Sequence, residues 1–258
     1  MESIILAAGR GTRMASDLPK VLHPVAGKPM LGHVLDAVCP LGPVHIVVGH
    51  QAERVMDYAL GYNCPNMHFA VQQQQLGTGH AVRAALPNLS NQGKVLVVLG
   101  DVPLIRTSTL ESLAAACDQH QAALALLTID LPNPAGYGRI ERNAAGQVMA
   151  IVEHKECNAQ QLAIKEINTG IMCFNQSALQ SWLPRLQANN AKGEYYLTDV
   201  VAMAVAEGAR VVAVKAQCQY EVMGVNDQMQ LALLEREYHR RPATSHLVSG
   251  RPAQAAAR

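Results

Sequence analysis

No stretch of this sequence is long and apolar enough to cross a membrane, and nothing at its start directs export. A spanning helix needs about 20 apolar residues, whereas the first apolar run, Ile4 to Ala8, follows an acid at Glu2 and ends at Gly9. That run is also too short for the apolar core of a secretory signal. The six cysteines, at 39, 64, 117, 157, 173 and 218, lie at least 16 residues apart, with no Cys-x-x-Cys and no zinc-ligand spacing. These absences point to a cytoplasmic chain whose cysteines are reduced packing residues.

An excess of charge of either sign is lacking too: 21 Lys and Arg face 20 Asp and Glu, a formal net charge of +1. Residues 239–258 hold Arg240, Arg241, Arg251 and Arg258 with no acid, which leaves 17 basic against 20 acidic residues in the rest. A body with that balance gives no electrostatic case for nucleic acid or membrane binding. Any anionic ligand must be met by local charge. With 49% hydrophobic residues among 258, the chain can bury a large core as one α/β domain, with or without an appendage.

Short β-rich runs alternate with stretches of helical periodicity. SIILA, VHIVVG, MHFAV and KVLVVLG read as buried strands, and PMLGHVLDAV, AERVMDYAL, GHAVRAAL and TLESLAAAC as the crossovers between them. That pattern predicts a mainly parallel sheet with helices on both faces. From about residue 122, ALALLTIDL, GRIER, QVMAIVEHK and EINTGIMCF read as strands of a small antiparallel or mixed extension. EYYLTDVVAMAVAEG reads as helical, RVVAVKA as a strand, and DQMQLALLEREYHRR as an amphipathic helix stopped by Pro242. The expected division is a body of 1–226, a linker-like helix at 227–241 and a basic, mobile tail at 242–258.

Two kinds of phosphate loop are absent from AAGRGTRM, Ala7 to Met14. A dinucleotide fingerprint and a P-loop each require a glycine where Met14 stands. What remains is either an ordinary glycine-rich turn or a nest of backbone N–H groups, opened by Gly9 and Gly11 and supplied with charge by Arg13 and Lys20. Asp101, behind Gly100 at the end of VLVVL, is placed either to hold Mg²⁺ beside ligand phosphates or to cap the next turn or helix. In QLGTGHA, Thr78 reads either as a cap or as a base contact, and GYGRI as a tight turn or a sugar contact. Alternation along VEHKE puts Glu153 and Lys155 on one face and His154 and Glu156 on the other, which argues against a metal cluster there.

LAAGRGTRM followed by LPKVLHPVAGKPML resembles the signature of the sugar-1-phosphate nucleotidyltransferases. QLGTGHA, GDVPL, GYGRI, VEHK, EINTG, GEYYLTD and GVN match one branch in order, from residue 3 to about 238. That branch is the bacterial N-acetylglucosamine-1-phosphate uridyltransferases, the first half of bifunctional enzymes. The resemblance implies a nucleotide-diphospho-sugar transferase fold and Mg²⁺-dependent uridylyl transfer from UTP to N-acetylglucosamine 1-phosphate, which feeds peptidoglycan and lipopolysaccharide synthesis.

By the same resemblance, Leu6, Ala7, Ala8, Gly9, Lys20, Gln72, Gly77, Thr78 and Gly100 would bind the nucleotide. Arg13 and Lys20 would act on the transferred phosphate and the pyrophosphate leaving group. Asp101 and Asn226 would hold Mg²⁺, and Gly138, Glu153, Asn168, Tyr196 and Thr198 would surround the sugar. The bifunctional relatives continue into a trimerising β-helix of hexapeptide repeats that carries acetyl transfer. No such repeat is present here, so the expectation is a monomer or weak oligomer without acetyltransferase activity.

Overall fold

Strands form where β-branched runs alternate inward and outward, and helices where apolar residues return every three or four positions. The structure, a computed structural model, describes residues 1–90 and 92–240. The first half contains β1 (Glu2–Leu6), a hairpin of β2 (Pro24–Val25) and β3 (Lys28–Pro29), α1 (Met30–Val38), β4 (Val44–Val48), α2 (Ala52–Leu60), β5 (Met67–Val71), α3 (Thr78–Ala85), β6 (Lys94–Leu99) and α4 (Thr107–Gln119). The second contains β7 (Leu124–Asp130), β8 (Arg139–Arg142), β9 (Val148–Val152), α5 (Ala159–Leu162), β10 (Glu166–Asn175), α6 (Gln176–Trp182), α7 (Asp199–Ala206), β11 (Val211–Lys215) and α8 (Gln228–Arg240).

Among the described residues, nine strands form one sheet in the order β11-β7-β10-β6-β1-β4-β5, with β8 paired to β10 and β9 to β8. β5, β4, β1 and β6 run parallel, and β10 enters antiparallel to both β6 and β7. The expected parallel sheet with a mixed extension is therefore present. From β1 the chain moves outward to β4 and β5, then returns on the other side as β6. That reversal opens a crevice beyond the carboxyl ends of β1 and β6, where sheets of this class bind ligands. Leu6 lies opposite Leu99, and Gly100 N donates to Leu6 O at 3.0 Å, so the loops after the two strands leave the sheet together.

Alternating residues of the central strands feed cores on opposite faces. Ile5, Leu96 and Val98 pack with Leu31, Leu35 and Leu110 on one side, while Ile4, Val95 and Val97 pack with Val82, Leu179 and Val200 on the other. Each such buried side chain contributes about 1.5–3 kcal/mol. A third cluster joins Leu234 of α8 to Met14, Val25, Met30 and Leu104. The helix expected as a linker is thus docked on the body. No helix among the described residues is long and apolar enough to cross a membrane.

Three expectations are corrected. Cys39 and Cys64 form a disulfide, with Cα atoms 5.6 Å apart, whereas Cys117, Cys157, Cys173 and Cys218 are free. Cys39 follows α1 and Cys64 lies between α2 and β5, so the folded crossovers bring together residues whose sequence spacing carried no signal. The first five residues of EYYLTD are not helical: Tyr195 N donates to Leu76 O and Gly79 N to Tyr195 O, both at 2.8 Å, and this pairing keeps the segment out of the helix until Asp199. VEHKE does not continue its strand, because β9 ends at Val152 and Glu156 N turns back to Glu153 O at 2.8 Å. The tail from Pro242, and Pro242 as a helix stop, lie outside the described residues.

Candidate active site

The signature loop continues from the buried Ala7 and Ala8, with Ala7 N donating to Val47 O at 2.9 Å. Of its two glycines, Gly11 is the one the turn requires: φ is +61°, and a Cβ there would lie 2.6 Å from the Lys20 Cβ. Gly9 has open space around it and no such φ. Arg13 stands on a single turn, Thr12–Met14, and Lys20 opens another, Lys20–Leu22. Met14 and Val21, both buried, anchor these turns from below and leave Arg13 at the rim.

Four residues from distant parts of the chain meet here. The Lys20 ammonium pairs with Asp101 Oδ2 and lies 3.5 Å from Asn226 Oδ1, while Arg13 Nη2 donates to that same Oδ1 at 2.9 Å. Val225 N donates to Asp101 O at 2.9 Å, which ties the segment carrying Asn226 to the loop after β6. The Lys20 and Asp101 side chains are only 15% and 14% exposed, so water screens their attraction less than at an open surface. The capping alternative for Asp101 is excluded for α4, whose cap position is Arg106.

The Asp101 carboxylate and the Asn226 carbonyl oxygen already converge on one cationic atom, the Lys20 Nζ. A carboxylate and an amide oxygen facing one point form the hard-oxygen donor set that suits Mg²⁺, which takes one or two carboxylates and keeps its waters. The two residues therefore fit that ion.

Beside them opens a cavity of about 240 Å³, whose wall includes Leu6, Thr78, Asp101, Gly138, Glu153, Asn168, Thr198 and Asn226. Thr198 Oγ1 donates to Glu153 Oε1 at 3.0 Å, and Asn168 N to Gly138 O at 2.9 Å, so four short motifs share one polar lining. A register shift between β10 and β7 falls between Asn168 and Met172. Burial, then the Glu153 and Glu156 charges, push the Asp199 carboxyl up.

Ala7, Ala8, Gly9, Arg13, Lys20, Gln72, Gly77, Gly100 and Tyr196 are not on that wall. Gln72 and Gly77 belong to an adjoining loop, where Gln72 Nε2 donates to Gly77 O and to His80 Nδ1, both at 3.0 Å. Gly77 has φ +106°, and a Cβ would lie 2.6 Å from Tyr195 O. Thr78 does not cap α3; its Oγ1 accepts from Leu197 N at 3.0 Å. Tyr196 is buried, and burial followed by the nearby carboxylates raises its phenol.

Sequence reasoning passed over Tyr137 and Gly224, which also line the cavity. Burial and the Asp101 charge raise the Tyr137 phenol. The GYGRI and GVN motifs offered a signal for Tyr137 and Gly224, although the proximity of Gly224 to Asp101 arises only in the fold. A larger hollow of about 650 Å³ lies beside β11 and the β8–β9 turn. Its wall includes none of the candidate site residues above and no acid.

The profile of the MobA-like NTP transferase domain matches residues 3–166. A protein of Cellvibrio japonicus named "Bifunctional protein GlmU" is 50% identical over 252 residues, covering 97% of this chain and 54% of the relative. One of the same name from Azotobacter vinelandii is 52% identical over the same shares. The chain spans about half the length of the curated relatives it matches. A solved structure described as UDP-glucose pyrophosphorylase complexed with UDP-glucose aligns with a TM-score of 0.76 at 19% identity, covering 93% of this chain and 98% of that one. At that identity the likeness is one of fold.

Proposed function

This chain belongs to the MobA-like NTP transferase domain family, and on that footing we propose that it transfers the uridylyl group of UTP to N-acetylglucosamine 1-phosphate. The products would be UDP-N-acetylglucosamine, a precursor for peptidoglycan and lipopolysaccharide, and pyrophosphate. The observation that carries the reading is the meeting of Arg13, Lys20, Asp101 and Asn226 beside a polar cavity at the switch point of the sheet.

A phosphate oxygen of the sugar phosphate forms a bond to the α-phosphorus of UTP, and the bond from that phosphorus to the pyrophosphate oxygen breaks. No protein nucleophile is required, so positioning and charge carry the catalysis. Arg13 and Lys20 would offset the negative charge that grows on the leaving pyrophosphate. Mg²⁺, held by Asp101 and Asn226, would supply positive charge against the phosphate oxygens. Gln72, Gly77 and Thr78 would receive the base, with the signature loop from Leu6 to Gly9 and Gly100 along the phosphates and ribose. Gly138, Glu153, Asn168 and Thr198 would hold the amino sugar, with Tyr196 supporting them from behind.

The test is to incubate the chain with Mg²⁺, each nucleoside triphosphate and a panel of sugar 1-phosphates while following pyrophosphate release. Preference for UTP with N-acetylglucosamine 1-phosphate is expected. Preference for another pair would change the specificity while keeping the class, and no release with any pair would overturn the reading.

A further inference from the structure

Helix α8 starts just beyond Asn226 and runs back along the segment that carries the signature loop. Gln230 N donates to Asp227 Oδ1 at 2.8 Å, and Leu231 N to Asp227 O at 3.1 Å, so Asp227 caps α8. In the usual capping box the side chain of the third helical residue returns to the N–H of the cap itself. Here Gln230 reaches one residue further back: its Oε1 accepts from Asn226 N at 2.6 Å. The residue so held is the one whose side-chain oxygen faces Arg13 and Lys20.

A second bond from the same turn reaches the other side of the cluster. Gln228 Nε2 donates to Met14 O at 3.0 Å, and Met14 directly follows Arg13. Further along α8, Glu235 Oε2 accepts from Ala26 N at 2.6 Å, and Leu234 is fully buried in the cluster that contains Met14. The helix is thereby fixed to the body along its length, and its first turn holds the backbone on both sides of the Arg13 to Asn226 bond.

We propose that the first turn of α8 is a positioning device for the phosphate-handling cluster, with Gln230 setting Asn226 and Gln228 setting the turn that carries Arg13. The inference rests on the uridylyl-transfer reading above. Neither glutamine touches a reacting atom; each acts through the residue it holds. Without the Gln230 acceptor, the Asn226 backbone is free to turn and to carry Oδ1 away from the point it shares with Asp101. Arg13, bonded to that oxygen, would lose its alignment with it.

The experiment compares Gln230→Leu, Gln230→Glu and Gln228→Leu with the full chain, using Met229→Ala, an exposed neighbour on the same turn, as control. Gln230→Leu removes the acceptor at similar size and should raise the Mg²⁺ concentration for half-maximal rate roughly tenfold, the usual scale for loss of a residue that orients a metal ligand. Its KM for UTP at saturating Mg²⁺ should stay unchanged. Gln230→Glu keeps an acceptor at a helix start that favours negative charge, and should restore the wild-type Mg²⁺ dependence. Gln228→Leu should lower kcat without moving that dependence, and it tests the device independently should Gln230→Leu fail to fold.

A readout without turnover is calorimetric titration of UTP with and without Mg²⁺. The gain in affinity that Mg²⁺ brings should shrink in Gln230→Leu, while affinity for UTP alone stays the same. An active wild type with an unaltered Gln230→Leu, or a Gln230→Glu as impaired as Gln230→Leu, overturns the inference and leaves the uridylyl-transfer reading in place. A wild type that releases no pyrophosphate from UTP removes that reading, and the inference with it.

Discussion

Arg13 and Asn226, 213 positions apart in the chain, meet through a 2.9 Å hydrogen bond from Nη2 to Oδ1. The bond extends a chain of contacts in which Lys20 touches Asp101 and approaches the same Asn226 oxygen. Two cations and two oxygen donors therefore share one small volume beside the polar cavity.

Arg13→Ala is expected to lower kcat about a hundredfold while changing KM for either substrate little, the pattern for a preorganised donor used mainly in the transition state. Steady-state kinetics on both substrates decide it. A rise confined to KM for UTP would make Arg13 a binding residue instead.

Asp101→Asn keeps the shape of the side chain and removes the charge that faces Lys20. The Mg²⁺ concentration for half-maximal rate should increase, because an amide is a weaker ligand than a carboxylate for a hard cation. A rate profile against Mg²⁺ that overlays the wild type would remove Asp101 from the metal site.

The Cys39–Cys64 link closes a loop with a sequence separation of 25. Loop-closure entropy gives such a link about 3 kcal/mol of stability. Reduction, or Cys64→Ser, should lower the melting temperature by roughly 6–12 °C for a domain of this size. Intact-mass analysis before and after alkylation reports whether the link is present. Equal melting temperatures in oxidised and reduced samples would count against the stabilisation.

Stability should fall on acidification in two stages. Burial lowers the imidazoles of His33 and His45 below their ordinary value of 6.5, so the unfolded chain takes up protons first and stability is lost as pH falls below that value. His45 is therefore a neutral donor to Glu2 at pH 7, with Nε2 to Oε2 at 2.7 Å, rather than half of an ion pair. For Glu2, burial acts to raise the carboxyl, but hydrogen bonds from Ser90 and His45 outweigh it and hold the group below its ordinary 4.5. Its contribution is present above that value and lost below it. Melting temperatures recorded from about pH 8 to about pH 2.5 should drop across both regions, and His45→Gln should shallow the upper one while the His33 share remains.

Asn226 and the sugar-side residues were named only through the family resemblance, whereas the alternation of strands and crossovers and the loops at the carboxyl ends of β1 and β6, with Arg13, Lys20 and Asp101 on them, were legible in the sequence itself. Each depends on neighbours a few positions away: apolar periodicity, a glycine at a turn, or an acid ending an apolar run. EYYLTD misled for the same reason, since its local helical pattern gave no sign that Tyr195 would pair with the loop before α3. The tertiary structure alone decided that Asn226 stands beside Arg13, that Cys39 reaches Cys64, and that Gln228 and Gln230 turn back onto the signature loop. The disulfide depends on how the two crossovers after β1 and β4 pack, and the other relations on the reversal of strand order at β1 and on the docking of α8 through Leu234. Both are set by how whole faces bury apolar surface, and no local spacing encodes that.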